Sequence, residues 1–380
     1  MLLLVAVAEV FGMTLWFSAT AAAPQIAQEF GLDAGWRAWL TMAVQGGFVA
    51  GTLATALTNI ADTINPRRLF AAGCLAGAAC NAALAVAPGI GVILALRFCT
   101  GAALAWVYPP GMKIAAGWFR ERRGTALGIV VGAVGLGSAF PHLLASLGAG
   151  VPWRTLIGVS STLALAGAVI VTSMVEDGPH VSASAPFDRH ALRVVLGNRG
   201  TRLAMLGYFG HMWELYAMWT WIAAFAAASL GAAAATGSAV AFITIATGAI
   251  GCVVGGFWAD RWGKARIAGA AMLASAACAL ASPFFYGAPL AVLLVLAVIW
   301  GFTVVADSAQ FSALVTEHTP RTHVGTALTL QTSAGFLLTM VSMRLVPPIT
   351  EFAGWQWAFL FLAPGPLLGA LAMKKLTVSS

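Results

Sequence analysis

GGFWADRWGKAR, residues 255–266, stands between two long apolar runs and carries most of the charge in its neighbourhood. It opens with the small pair Gly255-Gly256 and Trp258. Asp260-Arg261 follows, then a turn glycine, Gly263, then Lys264 and Arg266. A degenerate echo, TNIADTINPRR, occupies residues 58–68, with Asp62, Arg67 and Arg68 in the same order. The two acids are 260 − 62 = 198 positions apart in a chain of 380. Two further correspondences keep nearly that period. Glu9, Met13 and Trp16 match Glu214, Met218 and Trp221 at an offset of 214 − 9 = 205. GTAL occurs at 124–127 and at 325–328, offset 325 − 124 = 201. Three independent features with one period describe a chain made of two copies of one unit.

Composition says what that unit is made of. The chain is 60% hydrophobic and 9% charged, with mean hydropathy +0.88, against about 25% charged residues in a soluble domain. No water-soluble interior is large enough for so much apolar surface, so the chain is expected to be an all-α polytopic membrane protein. The five cysteines lie in apolar runs without CxxC spacing, which suits core packing rather than disulfides or metal. Met1 abuts an apolar run with no basic residue before it, so no cleavable signal is expected. Either the first helix starts abruptly or a short basic segment precedes Met1, and the second is the expectation because the helix needs its full length to span.

A spanning helix takes about 20 apolar residues. Twelve fit, at 1–23, 38–60, 68–87, 90–113, 124–148, 154–175, 203–229, 236–259, 265–286, 289–314, 324–346 and 355–373. The polar, proline-containing segment 176–202 reads as a linker between six-helix halves, 1–175 and 203–380. Sixteen of the 20 Lys and Arg fall on alternate connections: Arg67, Arg68, Lys113, Arg120, Arg122, Arg123, Arg189, Arg193, Arg199, Arg202, Arg261, Lys264, Arg266, Arg321, Lys374 and Lys375. Arg37, Arg154 and Arg344 lie at the other end, and Arg97 falls inside a helix. The net charge of +7 is therefore a topology signal and not a nucleic-acid footprint. Both termini and the linker are expected on the cytoplasmic side, most simply of a bacterial inner membrane.

These motifs resemble the major facilitator superfamily along the whole chain. Gly256, Asp260, Arg261, Gly263 and Arg266 match its G-x-x-x-D-R-x-G loop after the eighth helix. The loop after the second helix departs from it, with Thr58, Thr63 and Asn65 at the glycine, arginine and turn-glycine places. Arg97 and Gly101 match the arginine–glycine spacing of the family's fourth helix. The glycines of the antiporter motif are present in the fifth helix at Gly128, Gly132, Gly135 and Gly137, but Pro141 comes late. The arginines of nitrate and nitrite porters in helices 2 and 8 are missing. The resemblance implies parallel six-helix repeats and a central solute site between them.

Buried ionisable groups cost about 2.5–3.5 kcal/mol each on insertion scales and mark function by default. Glu9, Arg97, Glu214 and Asp307 are the four. Glu9 and Arg97 are expected within about one arginine length of each other if the first helix begins near Met1, either as a proton switch or as a static pair. His211 lies one turn before Glu214, a combination suited to proton exchange near neutral pH or to substrate hydrogen bonding. Gln310 follows Asp307 by one turn, with Thr303 on the same stripe. Tyr108-Pro109-Pro110 is expected to kink the fourth helix, with Tyr108 facing the cavity; Trp16 and Trp221 are cavity candidates because the repeat pairs them. Asp62, Arg67, Arg68, Gly256, Asp260, Arg261, Gly263 and Arg266 form the expected cytoplasmic gate or latch.

No nucleophile–base constellation or Gly-rich nucleotide loop appears, and no second ligand stands at metal spacing, so neither an enzyme nor a cofactor or metal site is expected. The expected function is secondary active transport of a small solute by alternating access, coupled to H+, by a monomer in a lipid bilayer. An uncoupled facilitator and a non-transporting receptor on the same fold are the alternatives.

Overall fold

The computed structural model describes residues 1–119, 123–147, 151–180 and 192–378. Among these the secondary structure is helical throughout, in twelve membrane-crossing segments. We number them α1 (Leu2–Met13, Ser18–Ala21 and Ala23–Phe30), α2 (Ala34–Thr58), α3 (Pro66–Ala83), α4 (Ile90–Leu104 and Tyr108–Trp118), α5 (Arg123–Ser146) and α6 (Trp153–Ser173). The second group is α7 (Arg199–Leu230), α8 (Ala234–Trp262), α9 (Lys264–Phe285), α10 (Leu290–Ala306 and Ser308–His318), α11 (Val324–Ala353) and α12 (Pro364–Val378, led by 3-10 turns). Ten of the spans are long and apolar enough to cross a bilayer on those grounds alone. The other two are α1, which is broken, and α7, in which His211, Glu214 and a run of Tyr and Trp lower the hydropathy. They are the two helices that carry the repeated acid.

The breaks have local causes. In α1 the chain turns at Thr14–Trp16, where i→i+3 bonds from Leu15 N to Gly12 O and from Trp16 N to Met13 O replace the α ladder. The helix then resumes and runs to Phe30, well past the expected end at residue 23. In α4, Pro109 and Pro110 lack N–H groups, and they stand in the first turn of the lower piece, where no intrahelical donor is required. The expected kink is a full interruption at 105–107. The equivalent break in α10 falls at Asp307, which ends one piece and leads the next.

The two halves meet along two seams. Along α5 and α8 the close contact runs from the Gly124–Asp260 end to Gly135 and Ile245. A side chain at Gly128 would reach the Cys252 carbonyl at 2.8 Å, and one at Gly132 the Ala249 carbonyl at 2.9 Å, so only small residues let these backbones approach. Along α2 and α11 the contact is confined to the middle and one end. Thr339 Oγ1 donates to Gln45 Oε1 at 2.5 Å, while the Asn59 end of α2 and the Gly325 end of α11 stand apart across a cavity.

The signature loop and its echo turn differently. Gly263 takes φ +95°, ψ 136° between α8 and α9, a conformation open to glycine. Asn65, at the equivalent place, keeps φ −54° and caps α3 by accepting from Arg67 N at 2.9 Å. The first copy instead makes its left-handed turn earlier, at Asn59 with φ 54°, a residue type that tolerates it. A one-turn helix, Ile60–Thr63, fills the difference and carries Asp62, whose side chain lies outside the described ones.

Candidate functional site

A cavity of about 1050 Å³ opens between the halves at the end that carries the basic loops. Thr52 and Asn59 of α2, Tyr108 of α4, Gln310 of α10, and Leu328 and Thr332 of α11 line it, with Asp260, Lys264 and Glu317 at its mouth. Lys113 and His180 also line it, and the remaining wall is a mix of apolar, hydroxyl and amide groups. Thr52 Oγ1 and Gln310 Nε2 are buried without a protein partner, so both are free to bond a solute.

Phe48 forms the floor of this cavity and the start of an aromatic plug. Trp16, which follows the break in α1, packs on Phe48, Tyr216 and Phe336 at centroid distances of 5.1, 5.7 and 5.6 Å. Phe17 continues the plug against Tyr216, Trp219 and His142 at 6.3, 6.1 and 6.0 Å. Beyond it lies a second cavity of about 270 Å³, lined by Thr20, Arg37, His142, Thr220 and Trp221 among others. The repeat-related pair Trp16 and Trp221 therefore do different things. Trp16 lines neither cavity, whereas Trp221 lines the small one and donates from Nε1 to the Met343 carbonyl at 3.0 Å.

The four buried charges fall into three separate settings. Arg97 is fully buried. Its guanidinium donates to Leu40 O at 3.2 Å, Leu15 O at 2.9 Å, Ser18 Oγ at 3.3 Å and Trp16 O. Leu15 and Trp16 offer carbonyls because α1 is broken there, so the arginine supplies donors that the helix lost. The expected Glu9–Arg97 contact does not form. The rise estimate assumed a continuous first helix, and the break consumes the arginine before it can reach Glu9. Ser18 extends the arrangement by donating to Asn81 Oδ1 at 2.7 Å. Asn81 Nδ2 in turn donates to Ser161 Oγ at 3.0 Å.

Glu9 lies lower in α1, against Gly111 in the first turn of the lower piece of α4 and near Phe70. It is fully buried, and neither carboxyl oxygen has a hydrogen-bond partner. Glu214 is placed otherwise: its Oε1 accepts from Trp300 Nε1 at 2.7 Å. His211, expected beside Glu214, faces Asp307 instead, with Nδ1 and Oδ1 2.8 Å apart. The two are close enough for an ion pair, but ring and carboxyl are not aligned as a hydrogen bond, and His211 Nε2 is unpartnered. The α10 break explains the exchange, since it brings Asp307 out of the ladder and toward α7. Gln310 N donates to Asp307 O at 3.0 Å, so the acid and the cavity-facing amide share one turn. Thr303 does not line either cavity; its hydroxyl donates to the Ile299 and Trp300 carbonyls.

The loop residues also divide. Asp260 reaches the first turn of α5, where its Oδ2 accepts from Thr125 Oγ1 at 3.3 Å and its carboxyl lies over Gly124. Gly256 permits this, since a side chain there would meet the Gly124 carbonyl at 3.0 Å. Arg261 stacks over Trp262 at 5.8 Å, and Arg266 is exposed. Lys264 pairs with Glu317 at 2.7 Å, inside the second half. Arg67 bonds Asp177 at 3.0 and 3.1 Å and the Val175 carbonyl at 2.5 Å, which fastens the end of α6 to α3. Arg68 is exposed beside that pair. Asp177 is held below the usual carboxylate range: its partial burial acts upward, and the hydrogen bonds from Arg67 and Asn65 outweigh it.

Sequence reading missed His142, Gln45 and Gln331. All three are buried with unpartnered side-chain nitrogens. His142 and Gln45 stand in mainly apolar runs and Gln331 among threonines and a serine, patterns without spacing to mark them.

Comparisons with known proteins agree with this architecture. The family model of the Major Facilitator Superfamily matches residues 4–225 and again residues 204–379. The crystal structure of the human organic anion transporter MFSD10 (TETRAN) superposes with a TM-score of 0.72, covering 98% of this chain and 97% of that one at 15% identity. At that identity the likeness is one of fold. No curated protein sequence matches the chain. Two copies of the family's unit, twelve crossings and a cavity between the halves place the chain in one class: it belongs to the Major Facilitator Superfamily, a family of membrane transporters.

Proposed function

We propose that the protein is a proton-coupled secondary transporter that moves a small solute by alternating access between halves 1–175 and 203–380, joined by the cytoplasmic linker 176–202. One observation carries this reading: a large cavity open at one end of the bundle, closed at mid-depth by an aromatic plug, with a small cavity beyond it. The concentration of Lys and Arg at the open end argues that this end is cytoplasmic, which makes the conformation inward-open.

Tyr108, Thr52 and Gln310 are the solute's hydrogen-bonding partners in this scheme. The proton sites are Glu9 and the His211–Asp307 pair. Glu9 has no partner to hold it ionised, so it carries a proton until an aqueous path reaches it. Protonation of Asp307 removes its attraction for His211 and frees the turn that carries Gln310, which couples the proton to the solute wall. Glu214, bonded to Trp300, braces α7 on α10. Asp260 at the first turn of α5 is the latch.

The test is a solute screen in proteoliposomes with an imposed pH gradient. Accumulation that follows the gradient and collapses in Glu9→Gln and Asp307→Asn supports the proposal. Flux indifferent to the gradient removes the coupling and leaves a facilitator. Binding without flux for every solute removes transport itself.

A further inference from the structure

The small cavity beyond the plug has a chemistry of its own. α1, α2 and α5 from the first half and α7, α8 and the turn before α12 from the second enclose it. Its walls are mostly alanine, with the rings of Trp221 and Trp355. Most of its polar groups are committed elsewhere. Thr20 and Thr41 share a hydrogen bond of 2.7 Å, Thr220 Oγ1 donates to Met343 Sδ at 3.1 Å, and the Trp221 indole is bound to Met343 O.

Ser238 also lines it with a hydroxyl, and two nitrogen-bearing side chains stand out. His142 is 1% exposed, and neither ring nitrogen has a partner. Arg37 lines the same space, and its Nε is buried without an acceptor. No Asp or Glu is among the described residues of the lining. Arg37 as a whole is only partly buried, but its Nε is turned out of water, where an arginine that served only to set topology would keep its donors. A buried guanidinium N–H and a buried imidazole that line one cavity, each without a protein partner, lack an anionic acceptor.

We infer that this cavity is a binding site for a small organic anion, a carboxylate with a short apolar body, held by Arg37 and His142 with its body against Trp221 and Trp355. At about 270 Å³ it is below the roughly 300–1,000 Å³ of pockets that take drug-sized ligands, so the body is no larger than one ring or a short chain. The inference rests on the transport reading for its meaning, as a station on the far side of the plug, but not for its test.

The experiment is equilibrium binding of radiolabelled benzoate, hexanoate and acetate to the full-length protein in lipid nanodiscs, with benzamide as the uncharged control. Saturable binding of benzoate or hexanoate is expected, with acetate and benzamide at least tenfold weaker. Arg37→Gln should weaken benzoate binding at least tenfold, Arg37→Lys by less, and His142→Gln severalfold, with thermal unfolding reporting that each variant is folded. Absence of saturable binding for all three carboxylates overturns the inference. So does equal binding of benzamide, or a folded Arg37→Gln that binds as the wild type does. Should Arg37→Gln fail to fold, the Arg37→Lys and His142→Gln affinities and the benzamide comparison decide. Benzoate binding in a protein that moves no solute in proteoliposomes would leave the site standing and remove the transporter; flux of other solutes without carboxylate binding would do the reverse.

Discussion

A double-mutant cycle between Glu9 and Arg97 separates two accounts of the charged core. If the two residues formed a pair, removing either would strand the other. Then Glu9→Gln and Arg97→Met would each be costly, and the double variant hardly worse than one alone. The structure argues otherwise. Arg97 is occupied by three carbonyls and Ser18, none of which touches Glu9. From Glu9 to Leu15 is 15 − 9 = 6 residues, about 9 Å of helical rise, and sites more than about 7–10 Å apart without shared partners add within about 0.3–0.5 kcal/mol.

Arg97→Met leaves the Leu40, Leu15 and Trp16 carbonyls without that donor. At about 1–3 kcal/mol for each orphaned group the sum is about 3–9 kcal/mol. Relief of an uncompensated buried charge offsets part of it, and about 3–5 kcal/mol is the expected loss. Glu9→Gln removes a carboxyl with no partner and should change stability by less than about 1 kcal/mol. Both are read from unfolding in mixed detergent–SDS micelles. A coupling energy above about 1 kcal/mol, or an Arg97→Met protein as stable as the wild type, would refute the reasoning.

Three further outcomes are expected. Asp260→Asn removes a carboxylate from the first turn of α5, an interaction worth about 0.3–1 kcal/mol. Spin labels on the basic-end turns of α5 and α8 should report a population with the seam parted, and an unchanged distance distribution counts against the latch. Gly101→Ala would drive a methyl into the Val44 backbone and should cost about 1–3 kcal/mol. Gly89→Ala, with open space around it, should cost nothing measurable in the same SDS titration. The Asp177 carboxyl sits below its unfolded value near about 3.9, so its stabilisation is present above that value and is lost as pH falls through the folded one. Protection of the His180 amide, which donates to Gly117 O, should fall on acidification below about pH 4 in the wild type and be flat in Arg67→Ala.

How far the sequence could be read depends on what a residue's neighbours in the chain reveal. Periodic features were legible: the spans from apolar runs, the two halves from the 198–205 offsets, and the Pro109-Pro110 interruption from missing N–H groups. Asp260 was legible as a residue of the repeated loop because its spacing to Gly256 and Gly263 is a local pattern, and it meets α5. Partner choice was not legible. His211 is one turn from Glu214 in sequence, yet it faces Asp307, because a break in another helix turned that acid inward. Arg97 missed Glu9 for the same kind of reason. Thr14–Trp16 carries neither proline nor glycine, so nothing local announces that α1 opens there and offers carbonyls to an arginine more than 80 residues on. Breaks without a breaker residue are tertiary events, and the charge pattern around them follows the tertiary partner.

The same unequal halves explain how one state can be held and still be left. The α5–α8 seam carries Gly256 and Asp260, with Gly263 at its end, and is closed at the basic end. Across from it, the loop after α2 lacks the turn glycine, and α2 and α11 part at the basic end. The cavity therefore opens on the side where the repeat is degenerate. The plug, meanwhile, is not a relaxed core. Trp16 and Trp219 each bury an indole N–H without an acceptor, at about 1–3 kcal/mol apiece. Opening the plug would hydrate both and offset part of the aromatic packing it gives up. Two states of nearly equal free energy are what alternating access requires, and in the proposed mechanism a plug that closes at a polar cost lowers the difference between them.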